Sequence, residues 1–151
     1  KYDIKKDNLI LERASIIAKG NLIADFSDSI NIDTDYPHKS PPSSDFYYDL
    51  PASSEKLPEI LSAKNILLHG GEITLKDKIN AANDLNIISE SDITLKNSIL
   101  SAPNNLSMAA VNNINIRQSD IKGKDITAIS RHGDILFHNG DQFGYLWRQH
   151  S

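Results

Sequence analysis

Short apolar phrases return along this chain at intervals of about twenty residues, with Asn, Asp, Ser or Gly at the joints. One series runs Leu22, Ile66, Leu85, Leu106, Ile126, and its last four members stand 19, 21 and 20 residues apart. A second runs Ile73, Ile93, Ile114, Ile135 at steps of 20, 21 and 21, each followed two residues on by Leu75, Leu95, Ile116 or Phe137. A third, Ile79, Ile99, Ile121, falls between the second and the next member of the first. Each period therefore holds three short apolar segments. Within a segment such as Ile93-Thr94-Leu95 the residues alternate, which puts two side chains on one face and a polar one on the other. No helical spacing persists anywhere along the chain, so the period-two pattern decides: these are strands.

A repeat of three strands in about twenty residues has a natural solution. The chain winds as a coil, each rung lying on the last at about 4.8 Å, and equivalent residues form columns along the axis. No single rung can bury its apolar face alone; stacked rungs close a narrow core together. The expected fold is all-β, a right-handed parallel β-helix, the hand following the strong preference of parallel crossovers. About six rungs of three short strands fit the length. The joints Asn83-Asp84, Ser91-Asp92, Asn104-Asn105, Asn112-Asn113, Lys124-Asp125 and Gly133-Asp134 are expected to turn the corners. Asn, Asp and Gly tolerate left-handed backbone, and Asx side chains bond to nearby backbone groups. Asn columns at these corners are expected to share hydrogen bonds between rungs.

The pattern extends towards both ends, with one break. Tyr2/Ile4, Leu9/Leu11 and Ile16/Ala18 continue it upstream, and Leu22 and Ile30/Ile32 begin the next rung. The following strand is then missing. In its place stands "DTDYPHKSPPSSDFYYDLPASSEKLPE", after which Ile60-Leu61-Ser62-Ala63 matches Ile99-Leu100-Ser101-Ala102 residue for residue. Residues 33–59 are therefore expected to be an insertion spliced into one rung outside the coil, and they hold five of the six prolines. Loops of repeat proteins accept such additions because the stacked core is untouched. The whole of residues 1–151 reads as a single β-helix domain. Residues 138–151, with Phe143, Tyr145 and Trp147, are expected to be a C-terminal extension or partial cap over the last strand edge.

Composition narrows the function. The net charge is −4 and no run of Lys or Arg stands out, which argues against an electrostatic grip on nucleic acid or on anionic lipid. There is no Cys, so disulfides and thiolate metal sites are excluded. No apolar run is long enough to span a bilayer as a helix, so membrane insertion is not expected. The opening residue is Lys1 rather than Met, as expected of a piece of a longer protein.

The stretch "NDLNIISESDITLKNSILSAPNNLSMAAVNNINI" resembles the filamentous-haemagglutinin-type repeats of large two-partner-secreted exoproteins of Gram-negative bacteria. Those repeats alternate a "DI-x-L" phrase with an "S-x-L-x-A-x-N-x-L-x-L" phrase, as Asp92-Ile93-Thr94-Leu95 and Ser98 through Met108 do here. The resemblance covers residues 60–137 well and residues 8–32 fairly, and it does not reach the insertion. The Asn-Pro-Asn-Leu motif that marks the family's secretion domain is absent, which points to the rod rather than the secretion signal. The resemblance implies a monomeric β-helical rod, passed through an outer-membrane two-partner transporter and displayed on the outer cell surface. Family members include adhesins, cytolysins and contact-dependent growth-inhibition proteins carrying a toxin.

Glycoside hydrolysis wants paired carboxylates on one face of neighbouring rungs. The aspartates Asp84, Asp92, Asp125 and Asp134 sit at turn positions, where a structural Asx is expected. His132 and His138 with Asp134 and Asp141 match no metal-ligand spacing, and "HGG" at His69 reads as a tight corner. No cofactor, metal site or catalytic residue is expected. The best partner-binding residues are Tyr36, Phe46, Tyr47 and Tyr48, aromatic side chains clustered in the proline-rich insertion. The expectation is a non-enzymatic structural or adhesive rod segment that presents distal parts and meets a receptor or glycan through the insertion. Two other readings stay open here: a carbohydrate-binding or carbohydrate-cleaving β-helix, and a segment assisting contact-dependent toxin delivery.

Overall fold

The computed structural model describes residues 7–12, 14–32 and 59–138, and all statements below concern these. They form one parallel sheet of ten strands and no helix. The strands are β1 (Asn8–Leu11), β2 (Ile16–Ile17), β3 (Asn21–Asp25), β4 (Ser29–Ile32) and β5 (Glu59–Gly70). After them come β6 (Glu72–Ser89), β7 (Ile93–Ala110), β8 (Ile114–Arg117), β9 (Asp120–Ser130) and β10 (Ile135–His138). Every pairing is parallel; six join residues about one repeat apart, and the three that bridge residues 33–58 join residues 43 to 45 apart. The chain is therefore a coil, a parallel β-helix of about five turns, with β10 opening a sixth.

The coil has three sides. Side 1 stacks β1, β4, the first part of β6, the first part of β7, β8 and β10. Side 2 stacks β2, the first part of β5, the middle of β6, the middle of β7 and the start of β9. Side 3 stacks β3 and the later parts of β5, β6, β7 and β9. The long strands β6 and β7 run through corners that the sequence marks as breaks, because the ladder to the neighbouring rung resumes directly past each bend.

Inward side chains alternate along every side, as the period-two pattern requires. Side 1 buries the columns Leu9–Ile30–Ile73–Ile93–Ile114–Ile135 and Leu11–Ile32–Leu75–Leu95–Ile116. Side 3 buries Leu22–Ile66–Leu85–Leu106, and beside it Ala24–Leu68–Ile87–Met108. Interior members of these columns are fully buried, whereas Ile126, the last member of the first column on side 3, is 39% exposed. A rung needs a neighbour on each side to exclude water, so burial falls at the end of the described coil.

Side 2 departs from the expected register. Ile79 pairs with Leu100, and Leu100 with Ile121, so the inward column is Ile16–Leu61–Ile79–Leu100–Ile121. Ile99 stands instead beside Lys78 and Asp120. The cause is a one-residue slip at the corner before it, where Lys76 pairs with Lys96 but Asp77 pairs with Ser98. Asn97 is the extra residue. That corner also holds the left-handed backbone: Asp77 at φ 69°, Asn97 at φ 48° and Gln118 at φ 49°.

The left-handed residues are thus not at the Asx pairs expected to supply them. Those pairs act through their side chains, and across rungs rather than locally. Between sides 3 and 1, Asn8 Oδ1 accepts the Ser29 amide at 3.0 Å, Asp92 Oδ1 that of Asn113 at 2.8 Å, and Asn113 Oδ1 that of Asp134 at 2.8 Å. Between sides 2 and 3, Asn65 Nδ2 donates to Asn21 Oδ1 at 3.0 Å, and Asn65 Oδ1 accepts the Asp84 amide at 3.2 Å. Asp84 Oδ1 in turn accepts Asn105 Nδ2 at 3.3 Å. A corner leaves backbone amides without a ladder partner, and a short acceptor one rung below satisfies them. The shared Asn hydrogen bonds expected from the repeat are present.

Glycine at the corner between sides 3 and 1 has a steric reason. A Cβ on Gly71 would collide with the carbonyl oxygen of Asp28, and one on Gly133 with Asn113 Oδ1 and the Asn112 carbonyl. Each turn lies close on the turn beneath it. Ser89, buried inside this corner, holds it shut: its hydroxyl reaches Gly71 O at 2.7 Å and Asp92 O at 2.8 Å and accepts the Ser91 amide at 3.0 Å.

Candidate binding surface

The described coil is interrupted between Ile32 and Glu59, at the corner between sides 1 and 2. β4 ends at Ile32 on side 1, and β5 opens on side 2 at Glu59, already paired with Lys78, one residue inside the expected boundary of the insertion. In the rungs that follow, the same corner is turned by Lys76-Asp77, by Lys96-Asn97-Ser98 and by Arg117-Gln118-Ser119. Its inner lining is polar. Ser119 Oγ accepts the Ser98 amide at 3.0 Å and donates to Arg117 O at 2.8 Å, and Asp77 and Ser98 are fully buried. Because Leu61 still pairs with Ile16 below and Ile79 above, the rung that carries the insertion keeps its register.

Tyr36, Phe46, Tyr47 and Tyr48, the aromatic residues favoured for partner binding, lie outside the described residues, as do the expected strand at Tyr2/Ile4 and the cap residues Phe143, Tyr145 and Trp147. His138 falls inside, as the last residue of β10.

The outer faces of the coil carry mostly short polar side chains. Side 1 presents Asn31, Thr74, Thr94 and Asn115 in one column, and side 3 presents Asn86, Ser107 and Thr127. Ser107 Oγ donates to Asn86 Oδ1 at 2.5 Å, so these hydroxyls and amides bond across rungs. Apolar residues interrupt these columns: the outward Ile10, Ile17 and Ile23 of the N-terminal rung are 58–67% exposed, and Ile88, Ile129 and Leu136 are 39–51% exposed further along.

The tight corner expected at "HGG" is turned at Gly71, and His69 stands just before it. His69 lies on the straight part of β5 on side 3, above Asp25 and below Ile88. Its Nδ1 stands 2.7 Å from Asp25 Oδ1, and its Nε2 stands 2.9 Å from Glu90 Oε2. The two carboxylates, with Asp25 the stronger influence, hold the imidazole above its ordinary value near 6.5, against a smaller lowering by burial. With both ring N–H groups donated, the imidazolium has no lone pair to accept a proton, so this arrangement clasps three successive rungs rather than serving as a general base. The linear sequence hides the group because Asp25 and His69 are 44 residues apart and His69 and Glu90 are 21 apart. The second spacing is one coil, and the first is one coil plus the insertion; the repeat is the signal that would reveal it.

Asp84 and Asp92, weighed as catalytic carboxylates, accept corner hydrogen bonds from neighbouring rungs. His132 is exposed at the turn before β10, where its amide donates to Val111 O at 2.8 Å. Among the described residues no cluster of three or more His, Cys, Asp or Glu side chains has metal-binding geometry. No family model, no curated protein and no solved structure matches the chain.

Proposed function

We propose that this chain is a non-enzymatic rod segment of a secreted bacterial surface exoprotein of the filamentous-haemagglutinin type. Its work is to hold distal parts away from the cell and to offer its flank and insertion to a receptor. The observation that supports this reading most is the uniformity of the coil. The same inward columns, corner hydrogen bonds and outward polar columns recur rung after rung. Such a stack transmits load through parallel backbone ladders along its whole length, and a long insertion at one corner leaves the columns in register. An outer-membrane transporter of the two-partner type would export it unfolded, and the absence of Cys suits that route.

The experiment is surface labelling of the producing bacterium with an antibody raised against the chain. Intact cells should be labelled, and the label should vanish when the partner transporter is deleted. Signal only after cell lysis would overturn the surface reading.

A further inference from the structure

The coil collects side chains that the linear sequence keeps about one repeat apart. At the corner closing side 1, Lys76 pairs with Lys96, Lys96 with Arg117, and Arg117 with His138. Basic residues thus occupy one column over four consecutive rungs, about 4.8 Å from one to the next. Lys96, Arg117 and His138 are exposed, and among the described residues none of these three makes an ion pair. Asp77, next to Lys76 in the chain, is buried inside the corner, and on the following side Asp120 faces Lys122 at 4.0 Å. Lys96 and Arg117 are like charges stacked in register on exposed positions, so they repel, and an anion lying along them is favoured. It stands on a chain whose net charge is −4, so it is a local feature.

Two residues earlier on the same side, Thr74, Thr94 and Asn115 form a second outward column beside the first. Hydroxyls and an amide therefore run parallel to the cations along three rungs. A pyranose unit in an extended chain advances by about the height of one rung. A polysaccharide with a carboxylate on each sugar sets successive carboxylates against Lys96 and Arg117, with its hydroxyls against the Thr and Asn side chains and the ring nitrogens of His138. A single-stranded nucleic acid fits less well, because the flanking column offers hydroxyls and an amide rather than the aromatic rings on which bases stack.

We propose that the Lys76–Lys96–Arg117–His138 column, with the Thr74–Thr94–Asn115 column beside it, is a binding strip for an extended polyuronic acid. The assignment does not depend on display at a cell surface. It is tested by measuring retention of the whole chain on immobilised polygalacturonate at low salt, with neutral dextran and an immobilised single-stranded oligonucleotide alongside. The chain should be held by polygalacturonate, released by salt and ignored by dextran. The double variant Lys96→Gln/Arg117→Gln should bind roughly tenfold or more weakly. The charge-matched control Lys64→Gln/Lys124→Gln should bind as wild type, and neither variant should melt below wild type. Thr94→Val should weaken binding while leaving its salt dependence unchanged, a result that a purely electrostatic contact would not give. Failure of the wild type to bind, or equal binding by the Lys96/Arg117 variant, would overturn the strip. Tighter binding to the oligonucleotide would overturn the ligand class.

Discussion

Replacing Ile93 with Ala removes three buried carbons from the middle of a column. Ile93 is fully buried, with Ile73 below it and Ile114 above. Transfer alone accounts for roughly 2.4 kcal/mol at about 0.8 kcal/mol per carbon. The cavity adds to this, because the rungs cannot close over it. Ile73 N donates to Asp92 O at 3.0 Å and Ile93 N to Asn113 O at 2.9 Å, which fixes the spacing of the backbone around the gap. The total should be about 3–4 kcal/mol, in the upper half of the range for such truncations. Ile135 occupies the same column at the last described strand, is only partly buried, and has Ile114 as its register partner among the described residues. Its truncation should cost about 1 kcal/mol. Urea unfolding followed by far-ultraviolet circular dichroism measures both. Equal losses at the two positions, or a loss under about 0.5 kcal/mol at Ile93, would refute the column and its dependence on a neighbour to each side.

Charge is worse than a cavity: Ile114→Asp should abolish the cooperative melt, because no partner waits inside the stack for the carboxylate. Gly71→Ala should destabilise by about 1–3 kcal/mol as its Cβ meets the Asp28 carbonyl, whereas Gly20→Ala, with open space around it, should be neutral or slightly stabilising in the same urea titration. Gln118→Gly should raise the unfolding free energy by a few tenths to about 1 kcal/mol, since it relieves left-handed backbone at φ 49°. The His69 clasp makes stability depend on pH. Its folded value lies above 6.5, so its contribution is complete below pH 6.5 and is lost as pH rises through the raised value. His69, Asp25 and Glu90 are 35%, 71% and 62% exposed, so the effect should not exceed about 1 kcal/mol, and His69→Gln should flatten that part of the stability profile.

The repeat made most of the fold legible, because a coil imposes one environment on residues one turn apart. Ile73, Ile93, Ile114 and Ile135 can be aligned by eye, and they stack as aligned. Spacing alone puts Ile99 in the side 2 column, one residue from Leu100, which occupies it, because Ile99 and Leu100 are both apolar and both buried. Hydrophobicity cannot choose between them; the extra residue at Asn97 does, by its left-handed backbone. The Asx joints were located correctly but given the wrong work. Their acceptors satisfy amides one rung away, a partner that local turn rules do not include. The clasp at His69 and the basic column were invisible for the same reason: neither is a motif until the coil is wound. A charge survey along the chain finds no run of Lys or Arg, although the fold places Lys96, Arg117 and His138 side by side.

Disulfide trapping tests the stacking of the coil most directly, on a chain that has no cysteine of its own. Asn86 and Ser107 are register partners on side 3 whose side chains already touch. Their Cα atoms, one rung apart at about 4.8 Å, lie within the span a disulfide can bridge. Asn86→Cys/Ser107→Cys should close quantitatively under mild oxidation and raise the melting midpoint, while Asn86→Cys/Asn115→Cys, on different sides, should stay reduced in the native state. Closure of the second pair and not the first would contradict the parallel, in-register coil.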